Sequence, residues 1–134
     1  MTITRGNKHV FLGMHIRYVK ANGTAEITMH DYLEKSIAES GMNITRTVAY
    51  PAKRDLFEVE ENARLLERTG SDAFHRVTAK LLYAALRARG DILTSVSFLS
   101  TRVSKSTTQD QAKLERLLEY INGRHVTLQI HIQS

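Results

Sequence analysis

A chain of 134 residues, 42% hydrophobic and 25% charged, has the composition of a globular protein and not of a disordered one. It contains no cysteine, which excludes disulfides and any thiolate metal site, and no stretch reaches the ~20 apolar residues that a bilayer-spanning helix needs. The net charge of +5 permits a polyanionic partner, and its distribution narrows where: four basic and three acidic side chains over residues 1–34, six of each over 35–71, and nine against five over 72–134.

The N-terminal MTITRGNKHV lacks an apolar run behind a basic patch, so an intracellular location is expected. From His9 to Val19 the sequence alternates, with Val10, Leu12, Met14, Ile16 and Tyr18 on one side and Phe11, His15, Arg17 and Val19 on the other. This predicts one strand. Lys20-Ala21-Asn22-Gly23 supplies an Asn-Gly turn, and Ala25, Ile27 and Met29 resume the alternation, which completes a β-hairpin. Asp31 followed by Glu34 resembles a capping box for a short helix that stops at Gly41.

Residues 43–71 read as a connector. It holds the only proline, Pro51, and then a mixed-charge run from Glu58 to Arg68 that predicts a turn or two of surface helix ending at Gly70. Its acids would repel a phosphate backbone, so it is expected to lie away from a bound duplex.

The strongest pattern begins at Asp72. Phe74, Val77, Thr78, Leu81, Leu82, Ala85 and Ala88 recur at spacings of three and four and predict the buried stripe of a helix. On another face Arg76, Lys80, Tyr83 and Arg87 line up with no acid among them, an arrangement suited to a phosphate backbone or to a solvated surface. Arg89-Gly90-Asp91 breaks the chain, Asp91 is placed to cap a second helix, and Ile92, Val96, Leu99 and Val103 form its stripe. Arg102 and Lys105 are expected in its last turn, facing the helix end or a phosphate. Thr107 with Asp110 opens a third helix, striped by Leu114, Leu117, Leu118 and Ile121 and ended at Asn122-Gly123. Val126, Leu128, Ile130 and Ile132 then alternate as a final strand. Short amphipathic helices bury their stripes only against one another, so a three-helix bundle follows.

Several of these strings carry a resemblance. Val77-Thr78-Ala79-Lys80-Leu81-Leu82-Tyr83, then Arg87-Ala88-Arg89-Gly90-Asp91-Ile92, then Phe98-Leu99-Ser100-Thr101-Arg102, and finally LERLLEYINGR from Leu114, resemble the thumb of copia-type LTR-retrotransposon reverse transcriptases. Upstream, Arg5-Gly6-Asn7-Lys8-His9 followed by Phe11-Leu12-Gly13-Met14, a hairpin and a helix containing Tyr32 is similar to the end of the palm in that family. Two departures stand out: Gly90 where the family's turn has proline, and Arg124 where threonine is usual.

The resemblance implies an α+β fold with a palm-end β-hairpin and helix over 1–42, the connector over 43–71, a thumb bundle over 72–124, and at 125–134 a strand leading towards a missing connection and RNase H region. It implies a fragment of an RNA-directed DNA polymerase that grips a template–primer duplex, RNA–DNA or DNA. His75, Ala79 and Tyr83 would lie along the minor groove, Arg76, Lys80 and Arg87 would face phosphates with Arg102 and Lys105 as further partners, and Phe11, Leu12, Gly13 and Met14 would form a primer-grip-like segment. The alternative is a stand-alone nucleic-acid or adaptor module that has kept the thumb; another is a purely structural helical module.

Polymerase chemistry needs carboxylates converging on two divalent metals. No Tyr-x-Asp-Asp motif is present, and Asp31, Asp55, Asp72, Asp91 and Asp110 are never adjacent, so no catalytic residue is assigned. A complete enzyme would use Mg²⁺; this chain is assigned no cofactor and no metal ligand. His9 and His15, like His125 and His131, fall six apart, about 20 Å along a strand, too far to share an ion. The expected partners are the duplex and the rest of the polyprotein, in a cytoplasmic virus-like particle or the nucleus, with no membrane, and self-association is expected if the sheet's apolar face is left uncovered.

Overall fold

The structure, a computed structural model, describes residues 8–19 and 23–131, with the side chains of Lys8 and His9 excepted. Arg5-Gly6-Asn7, the turn residues Lys20-Ala21-Asn22 and Ile132 lie outside the described residues. The element order is β1 (Lys8–Phe11), β2 (Met14–Val19), β3 (Thr24–Thr28), α1 (His30–Glu39), α2 (Arg68–Arg87), a 3₁₀ turn (Gly90–Ile92), α3 (Leu93–Ser100), α4 (Thr108–Gly123) and β4 (Leu128–His131). The fold is α+β: an antiparallel sheet in the order β1-β2-β3-β4 together with the helices. No helix among the described residues is long and apolar enough to cross a membrane.

The expected single strand over His9–Val19 is instead two strands. Phe11 pairs with Met14 across a two-residue turn in which Leu12 has φ 50° and Gly13 φ 84°, the signs a type I′ turn requires. Across such a turn the facing positions change parity, so Val10 shares a face with His15 while His9 shares one with Ile16. Val10 accordingly is exposed, and Ile16, at 8% exposure, is buried. The second hairpin, β2 to β3, forms as the sequence predicts.

β4 pairs antiparallel with β3, Ile27 opposite Leu128 and Ala25 opposite Ile130. On the sheet's apolar face Ile16 and Ala25 are buried, Met14 and Ile27 pack on the helical core, and Leu128 and Ile130 are exposed. Its polar face carries a cross-strand row in which Arg17 pairs with Glu26 and Gln129 donates to Glu26 at 3.3 Å; the Arg17 hydrogen bond holds the Glu26 carboxyl below the usual carboxylate range.

One hydrophobic core runs from Met29 and Leu33 through Phe74, Val77 and Leu81 of α2 and Val96 and Leu99 of α3 to Leu114, Leu117 and Leu118 of α4. Each Leu removed from water here is worth about 1.5–3 kcal/mol, which is what makes the helical stripes decisive. Thr107 caps α4 as expected: its hydroxyl accepts from the Asp110 amide, and the Asp110 carboxylate accepts from the Thr107 amide. The other two caps differ. α1 begins at His30 without a side-chain cap, and Asp31 pairs with His15 at 3.1 Å. Asp91 lies inside the 3₁₀ turn and pairs with Arg89. α2 starts at Arg68, so Gly70 sits within it, and the mixed-charge run before it forms no helix.

Candidate nucleic-acid interface

Both stretches singled out for duplex binding meet on one side of the fold. The Tyr83 hydroxyl donates to the Leu12 carbonyl at 2.7 Å, which fastens the β1–β2 turn to α2. Below it the Tyr32 ring of α1 lies against the Tyr83 ring with centroids 5.3 Å apart, and against Gly13, where an added Cβ would come within 2.6 Å of Tyr32 Cδ2. Only glycine fits both the contact and the positive φ. Phe11, Leu12, Gly13 and Met14 are therefore a turn and its two flanks, not a continuous strand.

The helix face divides into engaged and exposed side chains. Lys80 is ion-paired with Glu39 of α1, an acid from a different element that reading α2 alone could not supply. That hydrogen bond from Lys80, supported by the charges of Arg76 and Lys35, keeps the Glu39 carboxyl below its ordinary range. Tyr83 is half-buried: its hydroxyl is bonded, its ring packs on Tyr32, and the Arg87 guanidinium lies 3.6 Å over it. It is a strut and not a free stacking surface. Burial, with the neighbouring Tyr83 and Glu39, raises the Tyr32 phenol. His75, Arg76, Ala79 and Arg87 are exposed, with Leu86 and Leu12 exposed beside them.

Arg102 and Lys105 lie beyond the end of α3, at Ser100, and not in its last turn. Arg102 Nε donates to both carboxylate oxygens of the wholly buried Asp110, at 3.1 and 3.2 Å, so its role is to neutralise that carboxylate. Lys105 is exposed, and the 3.1 Å hydrogen bond between Ser106 and Ser71 brings its loop to the first turn of α2, ahead of His75 and Ala79. Of the connector acids, Glu60 is held to α4 through its amide, which donates to Gln109, while Glu67 is the N-cap residue of α2 itself.

Sequence reading named Tyr32 only within the resemblance and missed Lys35 and Glu39, although their spacing of three and four already put the three on one stripe of α1. It also missed a polar cluster that joins buried Arg89 and Tyr120 through Asp91. Arg89, 1% exposed, donates through Nε and Nη2 to the two oxygens of Asp91 at 3.0 and 3.1 Å, and the Tyr120 hydroxyl donates to Asp91 at 2.7 Å. Burial pushes the Asp91 carboxyl up, but the Arg89 and Tyr120 bonds outweigh it and leave the group below its ordinary value. Burial and the same bond raise the Tyr120 phenol.

The histidines differ in their surroundings, and His30 is half-buried with its Nε2 one of the buried atoms that have no hydrogen-bond partner among the described residues. The hairpin removes the straight-strand geometry assumed for His9 and His15; His15 meets Asp31, and His30 meets the His125 ring at 4.8 Å. Among the described residues no group of three or more His, Asp or Glu is arranged to hold a metal ion. Comparison of the chain with protein-family models, curated proteins and solved structures finds no match.

Proposed function

We propose that the chain grips a nucleic-acid duplex along the exposed face of α2 and the adjoining β1–β2 turn, as the palm-end and thumb portion of a copia-type reverse transcriptase. Catalytic aspartates elsewhere in a complete enzyme, with Mg²⁺, would perform the polymerisation that this chain cannot, in a cytoplasmic virus-like particle or the nucleus. The observation that carries the reading is the Tyr83–Leu12 hydrogen bond, which brings the basic helix and the hairpin turn, both singled out by the resemblance, to one surface. Arg76 and Arg87 are the foremost phosphate partners, and Lys80 joins them by exchanging Glu39 for a phosphate.

Anisotropy of a labelled RNA–DNA hybrid across a salt series tests this. Arg76→Ala is expected to lower the slope of log K against log salt by about one. Absence of hybrid binding at low salt, or unchanged slopes in both Arg76→Ala and Arg87→Ala, overturns it.

A second reading, a stand-alone nucleic-acid-binding module, is favoured by one observation: β4 closes onto β3, so the described sheet and the helical core form a continuous unit. An aspartate-pair motif encoded in frame upstream of Met1 would decide for the polymerase portion.

A further inference from the structure

We propose that the chain associates head to tail with copies of itself, residues 55–61 of one molecule docking on the basic face of α2 in the next. The inference shares that face with the duplex-binding reading and adds a competing occupant. Residues 55–61 read DLFEVEE, four acids and no base. Asp55, Glu58, Glu60 and Glu61 are exposed, and among the described residues none of them enters an ion pair. Between the acids Phe57 and Val59 are 65% and 43% exposed, an apolar pair of the kind that marks a contact surface. Lys53 and Arg54 precede the segment, and Arg46, Lys113 and Arg116 line the same hollow as Asp55 and Glu60, so its acidic character rests most on Glu58 and Glu61, outside that hollow.

The backbone of the segment is already held. Leu56 is buried, the Glu60 amide donates to Gln109 at 2.9 Å, and Lys113 donates to the Glu58 carbonyl at 2.5 Å. These bonds use main-chain atoms and leave the acidic and apolar side chains facing outwards, so docking has little backbone left to order. Phe57 is steadied by an edge-on contact to Phe98 at 5.5 Å.

The complement on α2 has the opposite sign and the same mixture. Arg76 and Arg87 are exposed, and Leu86 and Leu12 beside them are 64% and 63% exposed. The acidic segment is bonded to α4, while the basic face is bonded to α1 and the hairpin turn. The two surfaces are thus held by different elements, and the proposed contact joins them between molecules. A contact between two unlike faces is head to tail; it builds rings where the rotation closes and open chains of copies where it does not. Since a duplex would take the same cations, duplex and self-association exclude each other.

Sedimentation velocity over a concentration series of the full chain tests this, at about 0.05 M and about 0.5 M salt, either side of the ~10 Å screening length at 0.1 M. The sedimentation coefficient is expected to rise with concentration at low salt and stay flat at high salt. Two charge-reversed proteins decide the surfaces, Glu58→Lys with Glu60→Lys and Arg76→Glu with Arg87→Glu, their folds checked by circular dichroism. Each alone should remain monomeric, and an equimolar mixture should associate, since each then offers a complementary surface to the other. A wild-type chain that stays monomeric at low salt overturns the proposal. So does undiminished association of either reversed protein, which would assign the contact to the open β4 edge with Leu128 and Ile130, or a mixture that fails to associate. Added RNA–DNA hybrid should dissolve the wild-type assemblies. Association that follows the charge reversals without any hybrid binding leaves this proposal standing and removes the duplex reading; hybrid binding by a strictly monomeric chain does the reverse.

Discussion

The Tyr83 hydroxyl reaches the Leu12 carbonyl across 71 residues of sequence at 2.7 Å, and it is the one hydrogen bond described between α2 and the β1–β2 turn. Tyr83→Phe removes the donor and keeps the ring packing on Tyr32. Because Leu12 is exposed, water can replace the lost partner, and the expected cost is about 0.5–1.5 kcal/mol in urea unfolding. Amide exchange should accelerate in β1 and β2 and stay unchanged in the core of α2. Wild-type exchange in the hairpin would exclude a tethering role.

Three glycines should respond differently to alanine. Gly13→Ala meets both a φ of +84° and the Tyr32 ring, so it should destabilise by more than the about 1–2 kcal/mol of left-handed strain alone. Gly41→Ala, at φ +75° with open space around it, should cost only that strain. Gly90→Ala has open space and no positive φ, and should stabilise by about 0.4–1 kcal/mol. Melting temperatures of the three variants should rank Gly90→Ala highest and Gly13→Ala lowest.

The Arg89–Asp91–Tyr120 cluster gives stability two pH limits. Asp91 has a depressed folded pKa, so its contribution is present above its ordinary value of ~3.9 and is lost as pH falls through the folded value. Tyr120 has a raised one, so its contribution is full below ~10 and is lost as pH rises through the folded value. Asp91→Asn strands the buried Arg89 charge, and with the Asp91 side chain 25% exposed the loss at pH 7 should fall at the lower end of about 3–5 kcal/mol. Urea midpoints at pH 3 and pH 7 should converge for wild type and Asp91→Asn at the acid end; an equal gap at both would remove Asp91 from the acid limit.

Lys80 and Arg102 separate a cation held in reserve from one used by the fold. Glu39→Gln releases Lys80, and the salt slope for hybrid binding should steepen by up to about one. Arg102→Gln should leave that slope unchanged and lower stability, because buried Asp110 loses its counter-charge and keeps only its bonds to Thr107. A reduced slope in Arg102→Gln at full stability would return it to the phosphate contacts.

The helical part of this fold was legible because its stripes are long and regular: Leu114, Leu117, Leu118 and Ile121 are all buried where their spacing put them, and the Thr107–Asp110 box forms as written. The turn at Leu12-Gly13 was not. A two-residue turn leaves apolar residues alternating straight through it, and leucine at φ 50° gives no local signal of a reversal. Asp31 and Asp91 illustrate a second limit. Each lies inside its helix's first turn and not before it, and each side chain is taken by another partner, His15 from β2 and Arg89 two residues away. For the candidate site the cationic residues were legible, but which of them remain exposed depended on Glu39 and Asp110, whose arrival is a tertiary fact.

The pairing of β4 with β3 joins Thr24 to His131, so the sheet gains its fourth strand only once residues 128–131 have been synthesised. Until then β3 presents a bare row of amides and carbonyls, and a pairing this remote in sequence is slow to form. Nascent or truncated chains lacking residues 128–131 are thus the species most prone to inclusion-body formation, and β4 acts as the protein's own guard against it.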